Sequence, residues 1–148
     1  LRNQVPVPRI YVLSSMITRP LVDLPTVFDE RVFLAYPTLS SDITSRGREE
    51  YGRLAEKYGW QQGHVQAQVA ALAAAKLFVE GLRAAGRDLS RVRLVDGIEK
   101  LYEFETGVTP PLSYGPNRRI GARGAHVVTV DLDEKTYRPI GDGWHAVK

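Results

Sequence analysis

The segment with the clearest capacity for binding chemistry consists of Ser14, Ser15 and Met16. It directly follows Arg9–Ser14, a run of β-branched, aromatic and aliphatic residues that predicts a buried strand. In open α/β sheets, ligands bind beyond the carboxyl ends of the strands. Two hydroxyls and free backbone amides at such an end can hold a carboxylate or an ammonium group. We therefore predict ligand contacts at these three residues; the alternative is an ordinary surface loop.

A second candidate ligand contact is Tyr36, at the end of the apolar run Arg31–Tyr36 that Pro37 stops. Strands that are apolar on both faces are typical of sheets covered by helices on both sides. An aromatic residue in such a strand usually packs in the core, which is the alternative interpretation of Tyr36. The other interpretation is that its ring forms a platform for a ligand.

A basic loop, residues 117–124, offers a different chemistry through Arg118, Arg119 and Arg123, which follow Tyr114. Arginine forks can bind phosphates and an aromatic ring can stack on a base, so the loop can be an anion- or nucleic-acid-binding module. The alternative is a surface turn whose arginines pair with nearby acids or carbonyls. The net charge of only +3, from 20 basic and 17 acidic residues, favours the surface turn and predicts no nucleic-acid partner.

The residue types needed for catalysis or metal binding do not occur in a usable pattern. The chain has no cysteine, and its three histidines are widely separated with no His-x-x-x-His pair. Phosphate-loop and Gly-x-Ser-x-Gly motifs are absent. Acidic residues mostly stand beside basic ones, unlike a paired-carboxylate site. We predict no catalytic residues, no metal and no cofactor, and hence a protein that is not an enzyme.

The elements that must position these residues follow from periodicity. Candidate N-caps at Ser40, Ser41 and Asp42 precede one helix, which Gly59 ends. A longer, alanine-rich helix is predicted for Gln61–Ala85, ended by Gly86, and a shorter one for Ser90–Tyr102. The core stripe of the long helix consists of Val65, Val69, Leu72, Val79 and Leu82. Two strands, Ala125–Leu132 and Thr136–Ile140, then predict a β-hairpin.

The overall composition is that of a globular α/β domain. The chain has 148 residues, of which 43% are hydrophobic and 25% charged. The long helix is interrupted by Gln66, Gln68 and Lys76, so we do not expect it to span a bilayer. Two strands that alternate with helices cannot form a self-sufficient doubly wound sheet, which predicts that further strands are hidden in the Pro/Gly-rich stretch or belong to a longer protein.

The order of several motifs resembles the periplasmic solute-binding proteins of branched-chain amino acid ABC transporters. Val32–Pro37, the alanine-rich helix Ala67–Gly86 and the segment Gly86–Arg91 stand in the same succession. The strongest similarity is Thr106–Arg119 (Thr-Gly-Val-Thr-Pro-Pro-Leu-Ser-Tyr-Gly-Pro-Asn-Arg-Arg), followed by Gly121 and an apolar strand. The resemblance runs from about Pro8 to Gly143 and covers only the C-terminal portion of that family.

This resemblance implies part of a type I periplasmic-binding fold, Rossmann-like and three-layered, with a C-terminal β-hairpin. Residues 1–148 would be the C-terminal portion of a two-lobed binding domain that closes on a small ligand in an interlobe cleft. Hinge crossings would lie near 35–37 and 110–116, with Ala35, Pro37, Pro111 and Ser113 as hinge residues. Ser14, Ser15, Met16 and Tyr36 would contact the ligand.

The resemblance also implies a partner and a location. An amino-acid-like ligand would be passed to the membrane permease of an ABC transporter, or sensed, in the periplasm after export of a longer chain. Family members often place an acidic residue in the first ligand loop, where this chain has Ser-Ser-Met, so other small polar or amide-bearing ligands are also expected. A homodimer through surfaces left uncovered by the missing part is a further expectation. The open alternatives are the anion-binding module, an enzyme and a structural or dimerisation domain.

Overall fold

A computed structural model describes residues 6–16, 21–60 and 63–146. The chain forms two compact units. Unit 1 takes the described residues up to Pro37 and those from Gly124 onward, and unit 2 takes Thr38–Arg123. The chain is mixed α/β, as its sequence predicts, with the strands in unit 1 and the α-helices in unit 2.

Unit 1 is a four-stranded mixed sheet in the order β1-β2-β3-β4. The strands are β1 (Ile10–Leu13), β2 (Val32–Tyr36), β3 (Gly124–Asp131) and β4 (Thr136–Ala146). β1 and β2 are parallel, whereas β2–β3 and β3–β4 are antiparallel. The last pair is the predicted C-terminal hairpin, with a second strand that continues to Ala146 rather than ending at Ile140.

One face of this sheet carries the core of unit 1. Val32 and Leu34 alternate with more exposed neighbours along β2, and both are almost completely buried together with Val130 of β3 and Leu132. The segment that covers them contains short 3-10 turns at Leu21–Asp23 and Thr26–Phe28. Several contacts hold this segment to the hairpin, among them two backbone N–H groups bonded to side chains: the Tyr137 hydroxyl accepts from the Leu21 N–H at 3.1 Å, and the Asp29 carboxylate accepts from the Leu132 N–H at 2.9 Å.

Unit 2 contains α1 (Ser45–Tyr58), α2 (Val65–Ala85) and α3 (Arg91–Glu99). The predicted N-caps at Ser40, Ser41 and Asp42 are wrong, because these three residues form a separate 3-10 turn. Thr44 caps α1 instead, and its hydroxyl accepts from the Gly47 N–H at 3.0 Å. The predicted stops at Gly59 and Gly86 are confirmed as the C-caps of α1 and α2.

The long helix α2 packs against both other helices, but its predicted core stripe is only half right. Val69 and Leu72 are buried with Val108, whereas Val65 is 43% and Val79 is 45% exposed. The buried side of α2 changes along the helix, because α1 packs against the first half of α2 and α3 packs against the second half. At the α2–α3 crossing, a Cβ on Gly81 would lie 2.6 Å from the Ile98 side chain, so glycine permits the close approach.

The length and composition of α2 also meet the requirement for crossing a membrane, with 17% of its most apolar window buried. The expectation that Gln66, Gln68 and Lys76 exclude such a span was therefore too strict on these two criteria. In the structure Lys76 is half-buried and its ammonium pairs with the Glu50 carboxylate of α1 at 2.6 Å. A single helix of this length and composition is weak evidence for a membrane span, and no function is argued from it.

The stretch from Lys100 to Arg123 contains no helix or strand but is tightly ordered by hydrogen bonds. Phe104 and Leu112 form a two-way antiparallel bridge, with N–O distances of 2.7 and 3.0 Å. The Thr106 hydroxyl, which is buried, accepts from the Val108 and Thr109 N–H groups. Gly107 then accepts from the Thr44 N–H, so this stretch is fastened to the start of α1.

Candidate functional site

The candidate site of unit 1 is a row of four side chains at the carboxyl ends of β1 and β2, here named the strand-end row. Tyr36 is the register partner of His126, and His126 is the register partner of Trp144. Continuing the β1–β2 register by one residue brings Ser14 level with Tyr36. Paired residues lie on the same face of a sheet. The row therefore consists of Tyr36, His126 and Trp144, which share one face of β2, β3 and β4, and of Ser14, the first residue after β1, next to Tyr36.

The serine hydroxyls at the beginning of this row are available for a ligand. Ser14 is half-buried and Ser15 is exposed, both in the 3-10 turn Ser14–Met16 that follows β1. Neither hydroxyl has a hydrogen-bond partner among the residues that the structure describes. A hydroxyl can donate one hydrogen bond and accept two. Two such groups at adjacent positions can bind a carboxylate, an amide or another hydroxyl. Met16 lies in the same turn.

Tyr36 belongs partly to the core and partly to the site. Its ring packs against the core cluster of Val32 and Leu34, and its centroid lies 6.3 Å from that of Tyr137. Burial, followed by the neighbouring Tyr137 hydroxyl, raises the pKa of Tyr36 above its usual value. The Tyr36 hydroxyl therefore stays protonated at neutral pH and can donate a hydrogen bond. The packing and ligand-contact interpretations are compatible for this residue.

His126 and Trp144 are the members of the row that the sequence analysis missed. His126 is 5% exposed, and its ring meets the Trp144 ring edge-on at 5.3 Å between centroids. The available signal was alternation, because His126 has the same phase in β3 as the buried Val128 and Val130. Gly124 allows the Trp144 ring to approach β3 closely, since a Cβ there would be 2.7 Å from the indole nitrogen.

The chemistry of the row is hydrogen bonding beside aromatic surface. Its four side chains are a hydroxyl, a phenol, an imidazole and an indole, none of which is a carboxylate, an ammonium or a guanidinium group. Such groups suit a polar ligand that is recognised through hydrogen bonds and through ring contacts. No cluster of three or more metal-ligating side chains occurs within residues 6–16, 21–60 and 63–146.

The predicted hinge residues lie in different surroundings. Ala35 and Pro37 are at the end of β2, and the chain passes from unit 1 to unit 2 between Pro37 and Thr38. Pro111 and Ser113 lie inside unit 2, and the chain returns to unit 1 between Arg123 and Gly124. Pro111 is exposed, whereas Ser113 is 5% exposed and its hydroxyl accepts from the Glu103 N–H at 2.8 Å.

Two of the three arginines in the basic loop are engaged within unit 2. The Arg118 guanidinium is half-buried and donates to the Gly121 carbonyl at 3.2 Å. Arg119 forms an ion pair with Glu99 of α3. Tyr114 packs on Gly121, where a Cβ would come within 2.5 Å of its ring. Arg123 is exposed. These contacts favour the interpretation of this segment as a structured surface turn.

A groove of about 890 Å³ lies in unit 2 along α1, α2 and residues 104–107. Charged side chains of both signs line it: Arg46, Glu49, Glu50, Arg53, Lys76, Glu80, Arg83 and Glu105. The two members that reach inward, Lys76 and Glu50, are already paired with each other. Exposed charges on helix faces are ordinary protein surface, so size alone does not make this groove the ligand site.

Comparisons of the chain with family models, with curated proteins and with solved structures found no match.

Proposed function

We propose that this chain is the C-terminal portion of an extracytoplasmic solute-binding protein that captures a small polar ligand for an ABC transporter permease or a sensor. The ligand is an amino acid or a related amide or carboxylate. The protein acts by binding alone and uses no metal or cofactor. Units 1 and 2 would be parts of the two lobes of a type I periplasmic-binding domain, located in the periplasm as part of a longer exported polypeptide.

The observation that carries this proposal is the position of two serine hydroxyls that have no hydrogen-bond partner among the described residues. Ser14 and Ser15 follow one parallel strand, and Tyr36 ends the neighbouring one. Parallel strands end at the same edge of a sheet, where α/β proteins bind ligands. A half-buried hydroxyl without a protein partner is favourable there only when water or a ligand supplies one. A solute bound at the strand-end row supplies those missing hydrogen bonds.

The two-unit organisation supports a binding protein that works by closure. A ligand that touches two lobes only in the closed state shifts the equilibrium toward that state by its differential affinity. The chain passes directly from the end of β2 into unit 2, so the predicted contact Tyr36 is next to the predicted hinge residue Pro37. The free energy of ligand binding can therefore act at a position where the chain changes unit.

The competing anion-binding function has less support. Phosphate binding needs guanidinium groups that are free to form bidentate contacts. Arg118 and Arg119 already contact Gly121 and Glu99, which leaves only Arg123 of the predicted set without a hydrogen bond or ion pair among the described residues. A single unengaged arginine does not make an anion site.

Thermal unfolding with a panel of amino acids, their amides and small carboxylates tests the proposal. A ligand at a hundred times its dissociation constant should stabilise the folded protein by about 2.7 kcal/mol, which raises the melting temperature by several degrees. The double variant Ser14→Ala/Ser15→Ala should lose most of that shift. The control Ser41→Ala, an exposed serine in the turn before α1, should keep it.

Three outcomes distinguish the parts of this proposal. A shift that the double serine variant abolishes supports both the function and the site. A shift that survives unchanged in that variant supports ligand binding but contradicts the strand-end row as its location. If no compound in the panel shifts the melt, this chain does not bind such solutes and the proposal is contradicted.

A further inference from the structure

The charged side chains of unit 1 are concentrated at one end of its sheet. Those that the structure describes lie at or near the amino ends of β1 and β2: Arg9, Asp23, residues 29–31, the charged residues among 131–135, and Arg138. The hairpin turn belongs to this end because β3 runs antiparallel to β2. Several of these charges are paired there, as in the Lys135–Asp23 ion pair at 3.3 Å and the Arg138–Glu30 pair.

The opposite end of the sheet, where the strand-end row lies, is different. Among the side chains described in unit 1, none at this end is a carboxylate, an ammonium or a guanidinium group. A charged ligand group bound here therefore loses water without gaining an ionic partner from the described part of unit 1. Moving an unpaired ionised group out of water costs far more free energy than moving an amide or a hydroxyl, for which hydrogen bonds are sufficient compensation.

Four neutral polar groups at this end have no hydrogen-bond partner among the described residues. They are the hydroxyls of Ser14, Ser15 and Tyr36 and the indole N–H of Trp144. A hydroxyl both donates and accepts, whereas an indole N–H only donates. A carboxamide also does both, through its NH2 group and its carbonyl oxygen, while a carboxylate only accepts and an ammonium only donates. A carboxamide is therefore the better match to this set of groups.

Aromatic surface lies beside these polar groups. Tyr36 and Trp144 are both half-buried, so part of each ring is open to a ligand. The Trp144 ring is held against His126 and closely approaches Gly124. A ring that its neighbours fix offers apolar contact at a low cost in conformational entropy. Neighbouring strands lie about 4.8 Å apart, so the row is about 14 Å long and can contact both an amide and a ring of one small molecule.

We propose that the strand-end row selects uncharged amides, which place a carboxamide at the hydroxyls of Ser14, Ser15 and Tyr36 and an apolar or aromatic group against Trp144. This inference rests on the proposed function, because it specifies the ligand of the same site. A free α-amino acid carries both a carboxylate and an ammonium group, and neither finds a counter-ion among the described side chains at this end. Amide derivatives of amino acids therefore bind more tightly than the free amino acids do.

Isothermal titration calorimetry near pH 6 tests this selectivity with four compounds that share one side chain. Phenylalanine is zwitterionic at that pH, phenylalaninamide is cationic, N-acetylphenylalanine is anionic and N-acetylphenylalaninamide is neutral. The neutral compound should have a dissociation constant at least about tenfold lower than each of the three charged compounds. Because the ring is the same in all four, differences in affinity report the charged groups.

A charge placed in the row tests where the preference arises. Ser15→Asp adds a carboxylate at an exposed position of the turn after β1. It should shift the ratio of the two dissociation constants toward phenylalaninamide, relative to N-acetylphenylalaninamide, by about threefold or more. The matched control Ser41→Asp adds the same charge at an exposed serine of unit 2 and should leave the ratio unchanged. An equal shift in both variants contradicts a role for the strand-end row.

The outcomes separate this selectivity from the proposed function. If phenylalanine or N-acetylphenylalanine binds more tightly than the neutral amide, the selectivity is overturned and the proposed function stands. If none of the four compounds binds but another solute of the thermal panel does, the selectivity is again overturned. If no solute of either set binds, both the selectivity and the proposed function are contradicted.

Discussion

Serine side chains are used differently in the two units. In unit 1, Ser14 and Ser15 end a strand with hydroxyls that have no partner among the described residues. In unit 2, Ser90 caps α3 by accepting from the Arg93 N–H, and Ser113 accepts from the Glu103 N–H. The same residue type thus serves structure in unit 2 and is left available in unit 1. Hydrogen-bond partners, rather than residue type, separate a candidate binding group from a structural one.

The same contrast applies to the glycines and threonines of unit 2. Thr44 and Thr106 bond to nearby backbone amides, and Gly47 lets α1 approach the segment at Gly107. In unit 2, polar and small residues therefore hold helices against an irregular segment. Unit 1 obtains its stability from an apolar sheet face, and the hydroxyls of Ser14 and Ser15 at one end of its strands have no hydrogen-bond partner among the described residues.

The largest effect expected from this contrast is at Gly47. A Cβ at this position would overlap with the Gly107 carbonyl, a backbone atom that cannot move without releasing the start of α1. Gly47→Ala should lower the free energy of unfolding by about 3 kcal/mol, the upper part of the range for overpacking. Chemical denaturation measures this change.

Gly52→Ala provides the control within the same helix. Nothing lies within 4 Å of a Cβ at Gly52, and alanine is the better helix former by up to about 1 kcal/mol. Gly52→Ala should therefore leave the protein unchanged or more stable. If the two variants are equally stable, α1 is not held against Gly107 in the way described.

The next largest expected effect is a difference in unfolding free energy between a serine substitution in unit 2 and one in unit 1. Ser113→Ala leaves the Glu103 N–H without its acceptor and should cost about 1–2 kcal/mol of unfolding free energy. Ser14→Ala removes a hydroxyl with no described partner and should change stability by less than about 0.5 kcal/mol. Urea titrations of both variants measure the difference. Equal losses would mean that Ser14 has a structural role and would weaken its assignment to the strand-end row.

The elements of this fold follow from the sequence where periodicity is regular. The apolar runs that predict β1 and β2, the hairpin, and the glycine stops of α1 and α2 all depend on local residue order. The predicted N-cap of α1 is wrong because the 3-10 turn Ser40–Asp42 contains residue types that cap helices equally well. They stand just before Thr44, the residue that caps α1. Val65 and Val79 are exposed, although the predicted core stripe included them, because the buried side of α2 changes along the helix.

The candidate site was predictable only at its strand ends. Ser14 and Tyr36 follow from the rule that ligands bind at carboxyl ends. His126 joins them through the antiparallel pairing of β2 with β3, which are far apart in the chain, and Trp144 joins through the β3–β4 pairing. Alternation along β3 could show only that His126 has the phase of the buried valines. The role of Ser113 in fastening unit 2 depends on a partner ten positions away in an irregular segment, so residue type and spacing could not reveal it.

The smallest expected effect concerns the one residue that belongs to both core and site. Burial, then the Tyr137 hydroxyl, raises the pKa of Tyr36 in the folded protein, so the folded state keeps its proton to higher pH than the unfolded chain does. The resulting stabilisation is complete below the unfolded pKa near 10 and is lost as pH rises through the folded pKa. The free energy of unfolding should therefore fall above about pH 10 less steeply in Tyr36→Phe than in the wild type.

Tyr102→Phe, which also removes one tyrosine but from an exposed position in unit 2, should keep the wild-type slope. Identical slopes in all three proteins would mean that Tyr36 is as accessible folded as unfolded, and would place it outside the core.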